Sequence, residues 1–110
     1  MGNLDRMELL KGFTKEEPEN PFNWYALALE YLEVDASKAA SLFDLLLKDF
    51  SSYLPTYYTA AQFFAENNEF EKAKKTFENG LILAENQQEL KALKELKNAY
   101  QNFLFENDFD

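Results

Sequence analysis

Twenty carboxylates, eleven Lys and Arg side chains and six tyrosines carry nearly all the ionisable chemistry of this chain, which has no His and no Cys. Those two absences remove the usual general base, the usual thiol nucleophile and the common transition-metal ligands. With three Gly in all, there is neither a glycine-rich phosphate loop nor a hydrolase elbow. Paired carboxylates can by themselves hydrolyse glycosides, but Glu16, Glu17, Glu30 and Glu33 stand in ordinary surface-helix surroundings. The ending FLFENDFD lacks the alternating acidic ligands and the Gly of a calcium loop. These residues predict a protein that is not an enzyme and that takes no cofactor and no metal.

What remains is recognition, and charge sets its sign. The formal net charge is −9, and such a surface repels phosphate backbones and anionic headgroups. No nucleic-acid and no membrane partner is expected. No apolar run approaches bilayer length, no cationic start precedes an apolar core, and Arg6 stands where a myristoylation pattern needs Ser or Thr. Together with the lack of Cys, which suits a reducing compartment, this predicts a cytoplasmic protein.

Any binding surface must be positioned by helices. The 110 residues are 46% hydrophobic and 16% aromatic, enough for one domain burying roughly 65% of its unfolded surface. Gly and Pro number three each, while Ala, Leu, Glu and Lys are abundant, so local preference favours helix almost throughout.

Self-comparison shows an internal repeat. Trp24, Tyr25, Leu27, Ala28 and Tyr31 have counterparts in Tyr57, Tyr58, Ala60, Ala61 and Phe64, each displaced by 33 residues. Ala39, Phe43 and Leu46 pair with Ala73, Phe77 and Gly80 at a displacement of 34. The change of register places a one-residue deletion between the two helices of the first repeat. Asn67 and Asn68 are expected to end the first helix of the second repeat, because Asn tolerates the left-handed conformation. Asn68 with Glu71 is expected to form an Asn-based capping box, and Asp35 to cap the second helix of the first repeat.

An aromatic, Leu, Ala, aromatic ladder in one helix, followed by Ala and Phe four apart in the next, at a period of about 34, resembles the tetratricopeptide repeat. The resemblance covers residues 21–87. It departs from the family pattern at Ala28 and Ala61, which replace a Gly, at the turn Gly, which is deleted once and replaced once by Asn68, and at Gly80, which replaces an Ala. The resemblance implies an all-α fold: an α-α superhelix, or right-handed solenoid, of two helix pairs with an N-terminal half-repeat helix and a C-terminal capping helix. The implied layout is a single domain with an N-terminal helix at 3–17, repeats at 21–53 and 54–87, a capping helix at 88–105 and a tail at 106–110. In the capping helix, Leu90, Leu93, Leu96, Tyr100, Phe103 and Leu104 form one stripe.

In that architecture Ala28, Ala39, Ala61 and Ala73 are small where helices touch, and Trp24, Leu27, Tyr31, Phe43, Tyr57, Phe64 and Phe77 fill the core. Stacked pairs leave a concave side lined by first helices, the surface solenoids use for binding. Phe22, Tyr25, Leu29 and Glu33 from the first repeat, and Pro55, Tyr58, Gln62 and Glu66 from the second, are the expected groove residues. The implied function is a protein interaction scaffold or adaptor that binds a peptide or helical segment with apolar anchors and basic flanks. The groove lacks the Lys, Asn and Arg with which some members grip an acidic carboxy-terminus, which disfavours that ligand.

Three alternatives stand beside this reading. The closing helix or the tail covers the groove; the chain is a self-associating structural subunit, a homodimer; or it is a small acidic inhibitor, immunity-like, of a basic partner. Lys91, Lys94 and Lys97 make a basic stripe, read as a solvated helix face, with contact to an acidic region of another copy as its alternative. In the ending FLFENDFD the chain is expected to fray beyond the closing helix, the competing reading being a short docking motif.

Overall fold

The computed structural model describes residues 2–107, with side chains from Asp5 onward. Among the described residues the regular elements are six helices: α1 (Gly2–Glu16), α2 (Pro21–Tyr31), α3 (Ala36–Asp49), α4 (Pro55–Glu66), α5 (Phe70–Asn86) and α6 (Leu90–Glu106). They pack as antiparallel pairs. The chain divides between Tyr53 and Leu54 into two compact units. In the first, α2 packs on α1 and on α3; in the second, α5 packs on α4 and on α6, and α6 also touches α4.

Helix starts follow the local chemistry in the first unit and depart from it in the second. The Asn20 carboxamide oxygen accepts from the Phe22 amide at 3.1 Å, and Pro21 occupies the first turn, where its missing N–H costs nothing. Asp35 accepts from the Lys38 amide at 3.2 Å and caps α3. The capping box expected of Asn68 and Glu71 does not form. Glu69 is the N-cap of α5, and its side chain makes no capping bond. The reason is that Asn68 is committed to closing the helix before it.

That closure explains the deletion. Asn68 adopts the left-handed conformation, with φ 64°. Its amide donates to the Ala65 carbonyl at 3.1 Å, and the Glu69 amide to the Phe64 carbonyl at 2.9 Å, the two bonds of a Schellman closure. The α5–α6 turn repeats the geometry: Gln88 has φ 57°, the Gln88 amide reaches Glu85 at 3.1 Å, and the Glu89 amide reaches Ala84 at 3.0 Å. After α2 there is no left-handed residue, and the Asp35 amide meets the Tyr31 carbonyl one residue sooner, at 2.8 Å. The residue missing from the first repeat is thus the one that would have taken the strained conformation.

Burial repeats with the sequence register. Asn23 and Thr56, Leu27 and Ala60, Ala28 and Ala61, and Tyr31 and Phe64 are buried pairs 33 apart; Ala39 and Ala73, Phe43 and Phe77, and Leu46 and Gly80 are buried pairs 34 apart. An unanticipated contact also recurs. The Lys38 ammonium lies 5.6 Å from the centre of the Tyr31 ring, and the equivalent Lys72 lies 4.5 Å from the Phe64 ring. Each Lys covers the aromatic residue at the end of the preceding helix, adding a cation–π attraction across the turn.

Trp24 departs from its expected place in the core. It is half-buried, and its indole N–H donates to the Pro18 carbonyl at 2.8 Å, fastening α2 to the α1–α2 connection. The equivalent Tyr57 is buried because Gly80 makes room for it: a Cβ on Gly80 would lie 2.8 Å from the Tyr57 Cβ. In the first repeat the position of Gly80 is held by Leu46, which is itself fully buried and fills the corresponding volume.

The stripe on α6 is also narrower than expected. Leu96, Ala99 and Phe103 are buried, Leu93, Tyr100 and Leu104 are half-buried, and Leu90 is 73% exposed. The closing helix α6 ends at Glu106, one residue past its expected end, and Phe103 packs against Phe77, ring centres 5.4 Å apart. Asp108, Phe109 and Asp110, the last part of the docking-motif and covering-tail readings, lie outside the described residues.

Candidate functional site

In the second unit α4 and α6 flank a cleft of about 660 Å³. Its floor is aromatic and small: Phe70, Phe77 and Phe103 with Ala65 and Ala99. These rings support one another, Phe77 lying 5.4 Å from Phe103 and 5.6 Å from Tyr100 between ring centres. Tilted contacts of this kind contribute beyond area burial and hold the floor in one arrangement.

The α4 wall carries three of the residues expected in the groove. Tyr58, Gln62 and Glu66 recur every fourth residue and so project from one side of the helix. Tyr58 is 42% exposed, Gln62 is half-buried and Glu66 is exposed. Pro55, one turn earlier, is exposed at the start of α4 and does not line the cleft.

The α6 wall was not foreseen from sequence. Glu95, Asn98, Asn102 and Glu106 line it, spaced three, four and four apart on the side of α6 beside its buried stripe. Three carboxylates, Glu66, Glu95 and Glu106, therefore border the cleft, and no Lys or Arg is among its lining residues. Carboxamides from Gln62, Asn98 and Asn102 add donors and acceptors of no fixed sign. The signal that marks this wall is the polar ladder from Glu95 to Glu106, hidden in sequence by the apolar stripe beside it.

Behind the floor sits a polar clasp. The Tyr100 hydroxyl donates to a Glu78 carboxylate oxygen at 2.6 Å. Burial first, and then the hydrogen bond and negative charge of Glu78, push the Tyr100 pKa up to about 12. The same bond holds the Glu78 carboxyl below its ordinary value, helped by Lys74 at 3.6 Å. The clasp joins α5 to α6 and keeps the α6 wall in place.

In the first unit the expected residues are found on α2 and just beyond it. Phe22 and Leu29 are exposed, at 59% and 41%, and Glu33 lies in the turn after the helix. Tyr25 is half-buried, with its ring edge-on to Tyr53 at 5.8 Å and 66°. Tyr25 is thus partly structural, and its partner Tyr53 has a raised pKa, mainly from burial and then from Tyr25.

Among the described residues no group of three or more His, Cys, Asp or Glu is placed to hold a metal ion, and no helix is long and apolar enough to cross a membrane. No family model and no curated protein matches the chain. Solved structures do. The solution NMR structure of a tetratricopeptide repeat domain protein from Salinibacter ruber is 34% identical, with 78% of this chain and 88% of that chain covered and a TM-score of 0.74. A crystal structure of a tetratricopeptide repeat domain protein from Salinibacter ruber is 32% identical over 76% of this chain and 96% of that one, with a TM-score of 0.72. With the recurring helix pairs, the small residues at their contacts and this identity over most of both chains, the protein belongs to the tetratricopeptide repeat family.

Proposed function

We propose that this chain binds a segment of a partner protein in the cleft between α4 and α6, and that the segment carries an apolar anchor flanked by Lys or Arg. The tetratricopeptide repeat is in general a protein interaction module and typically non-catalytic, so the partner class follows from the family. The segment's chemistry rests on one observation: an aromatic floor bordered by Glu66, Glu95 and Glu106 with no cation in the lining. A basic side chain placed there meets complementary potential, whereas an acidic one meets like charge. Tyr58 at the rim offers a large amphipathic ring that loses little entropy on binding. In the first unit, Phe22 and Leu29 on the exposed side of α2, half-buried Tyr25, and Glu33 in the turn after it are a separate candidate contact patch in this reading, and Pro55 ahead of Tyr58 extends the one in the second unit.

The test is an NMR titration of the isotope-labelled chain with two peptides that share a Leu-Phe anchor, one flanked by lysines and the other by glutamates. Shifts at Tyr58, Gln62, Asn98 and Asn102 with the lysine peptide, weakened by Glu66→Lys and by added salt, support the reading. Equal response to both peptides, or shifts that avoid the cleft, refute it.

A further inference from the structure

We propose that copies of this chain associate through the outward faces of α1 and α6, the α6 of one molecule seated on the α1 of another. Both faces follow from helical spacing and exposure. On α6, buried Leu96, Ala99 and Phe103 mark the inner side; the opposite side carries Leu90, Lys94, Lys97, Gln101 and Phe105, all exposed, Phe105 at 86%. Lys91 flanks this stripe, and no carboxylate lies on it. On α1, buried Met7 and Thr14 mark the inner side; the opposite side carries Asp5, Leu9 and Glu16 with Glu8 and Phe13 beside them, Leu9 being 58% exposed. Lys11 and Lys15 stand to one side, and Lys11 bonds Glu8 at 3.5 Å.

The two faces are matched in kind and opposite in sign. Each combines exposed apolar side chains with a central row of charges of one sign, Lys15 and Arg6 standing at the two edges of the α1 face with Arg6 paired to Glu30 at 2.8 Å, and large exposed apolar groups on a protein surface mark contact sites. Pairing α6 with α6 would set Lys94 and Lys97 against their own copies, and pairing α1 with α1 would do the same to Asp5, Glu8 and Glu16. Only the mixed pairing brings cations to carboxylates. A second, independent feature lies on α1. Gly12 sits in the helix interior between Leu9 and Glu16, and a Cβ built on it would meet nothing within 4 Å. A glycine there weakens the helix, and no neighbour among the described residues requires it. The open space at Gly12 suits close approach of another helix.

The contact is heterologous, so each copy offers one face of each kind. Sedimentation velocity across protein concentration, at low and at high salt, is the experiment. The wild type is expected to exceed the monomer mass at low salt and return to it at high salt, because exposed charge pairs are screened. Lys94→Glu with Lys97→Glu, and separately Asp5→Lys with Glu8→Lys, are each expected to weaken association at least about tenfold. An equimolar mixture of the two variants is expected to restore it as a mixed complex. Circular dichroism checks that both variants remain helical, and both sites are exposed. A monomer at every salt and concentration overturns the proposal. So does association that survives either variant, and so does a mixture that stays monomeric.

Discussion

Gly80→Ala is the sharpest probe of the helix contact on which the second unit depends. In an open helix interior, Gly→Ala is favourable by about 1 kcal/mol, since Ala loses less backbone entropy on folding. Within one molecule Gly12 is such a position, with nothing within 4 Å of where an added Cβ would stand, and Gly12→Ala, measured at high salt where copies are apart, should raise stability by roughly 0.5–1 kcal/mol. At Gly80 the same carbon lands 2.8 Å from the Tyr57 Cβ and 3.2 Å from its Cγ. Carbon atoms prefer about 3.5–4.0 Å, so the overlap is near 1 Å. A Cβ is fixed to its backbone and cannot rotate away, so α4 and α5 must part, and forced overpacking of this kind costs about 1–3 kcal/mol. Set against the helix gain, Gly80→Ala should be between neutral and about 2 kcal/mol destabilising.

Because the two substitutions share the same propensity term, the difference between them isolates the clash, about 1–3 kcal/mol. Urea unfolding followed by far-ultraviolet circular dichroism measures it, with hydrogen exchange assigning each change to its own unit, since repeat arrays need not unfold as one. A Tyr57→Ala background should relieve only part of the penalty, because Ala keeps the Cβ that makes the closer contact. If Gly80→Ala stabilises the chain as much as Gly12→Ala does, the close approach of α4 to α5 is wrong, and with it the account of why Tyr57 is buried while Trp24 is not.

Other expectations follow from single residues. Phe77→Ala should cost roughly 3–5 kcal/mol by emptying the cleft floor; a loss below about 1 kcal/mol in urea melts would remove Phe77 from the core. Thr56 is fully buried and its hydroxyl has no hydrogen-bond partner among the described residues, so Thr56→Val should stabilise by about 1 kcal/mol, and a destabilised variant would show that the hydroxyl is bonded. The Tyr100 hydroxyl, with its pKa pushed up to about 12, keeps its proton in the folded chain after an unfolded tyrosine, near 10, has released it. Its contribution is therefore complete below about pH 10 and is lost as pH rises towards 12, so alkaline melts should fall less steeply for Tyr100→Phe; an unchanged slope would discount the clasp.

The balance between what sequence foretells and what it hides has a physical source. Periodicity reports which positions face a neighbouring helix, so the displacement of 33 then 34 located both the helix pairs and the shortened turn, and Tyr58, Gln62 and Glu66 could be assigned to one wall by register alone. It does not report how two facing volumes are shared. Trp24 and Tyr57 are equivalent in register, yet Leu46 fills the space in one pair and Gly80 opens it in the other, and only three-dimensional packing tells which aromatic goes in. The α6 wall was hidden for a different reason. That helix has no aromatic counterpart elsewhere in the chain from which to borrow a register, and its strongest signal is the apolar stripe that docks it on α5. Polar residues beside such a stripe look like any solvated helix face. They line a cleft only when a second helix, here α4, stands opposite and leaves an aromatic floor between them, so a cleft wall on a closing helix can be recognised only after its partner wall has been placed.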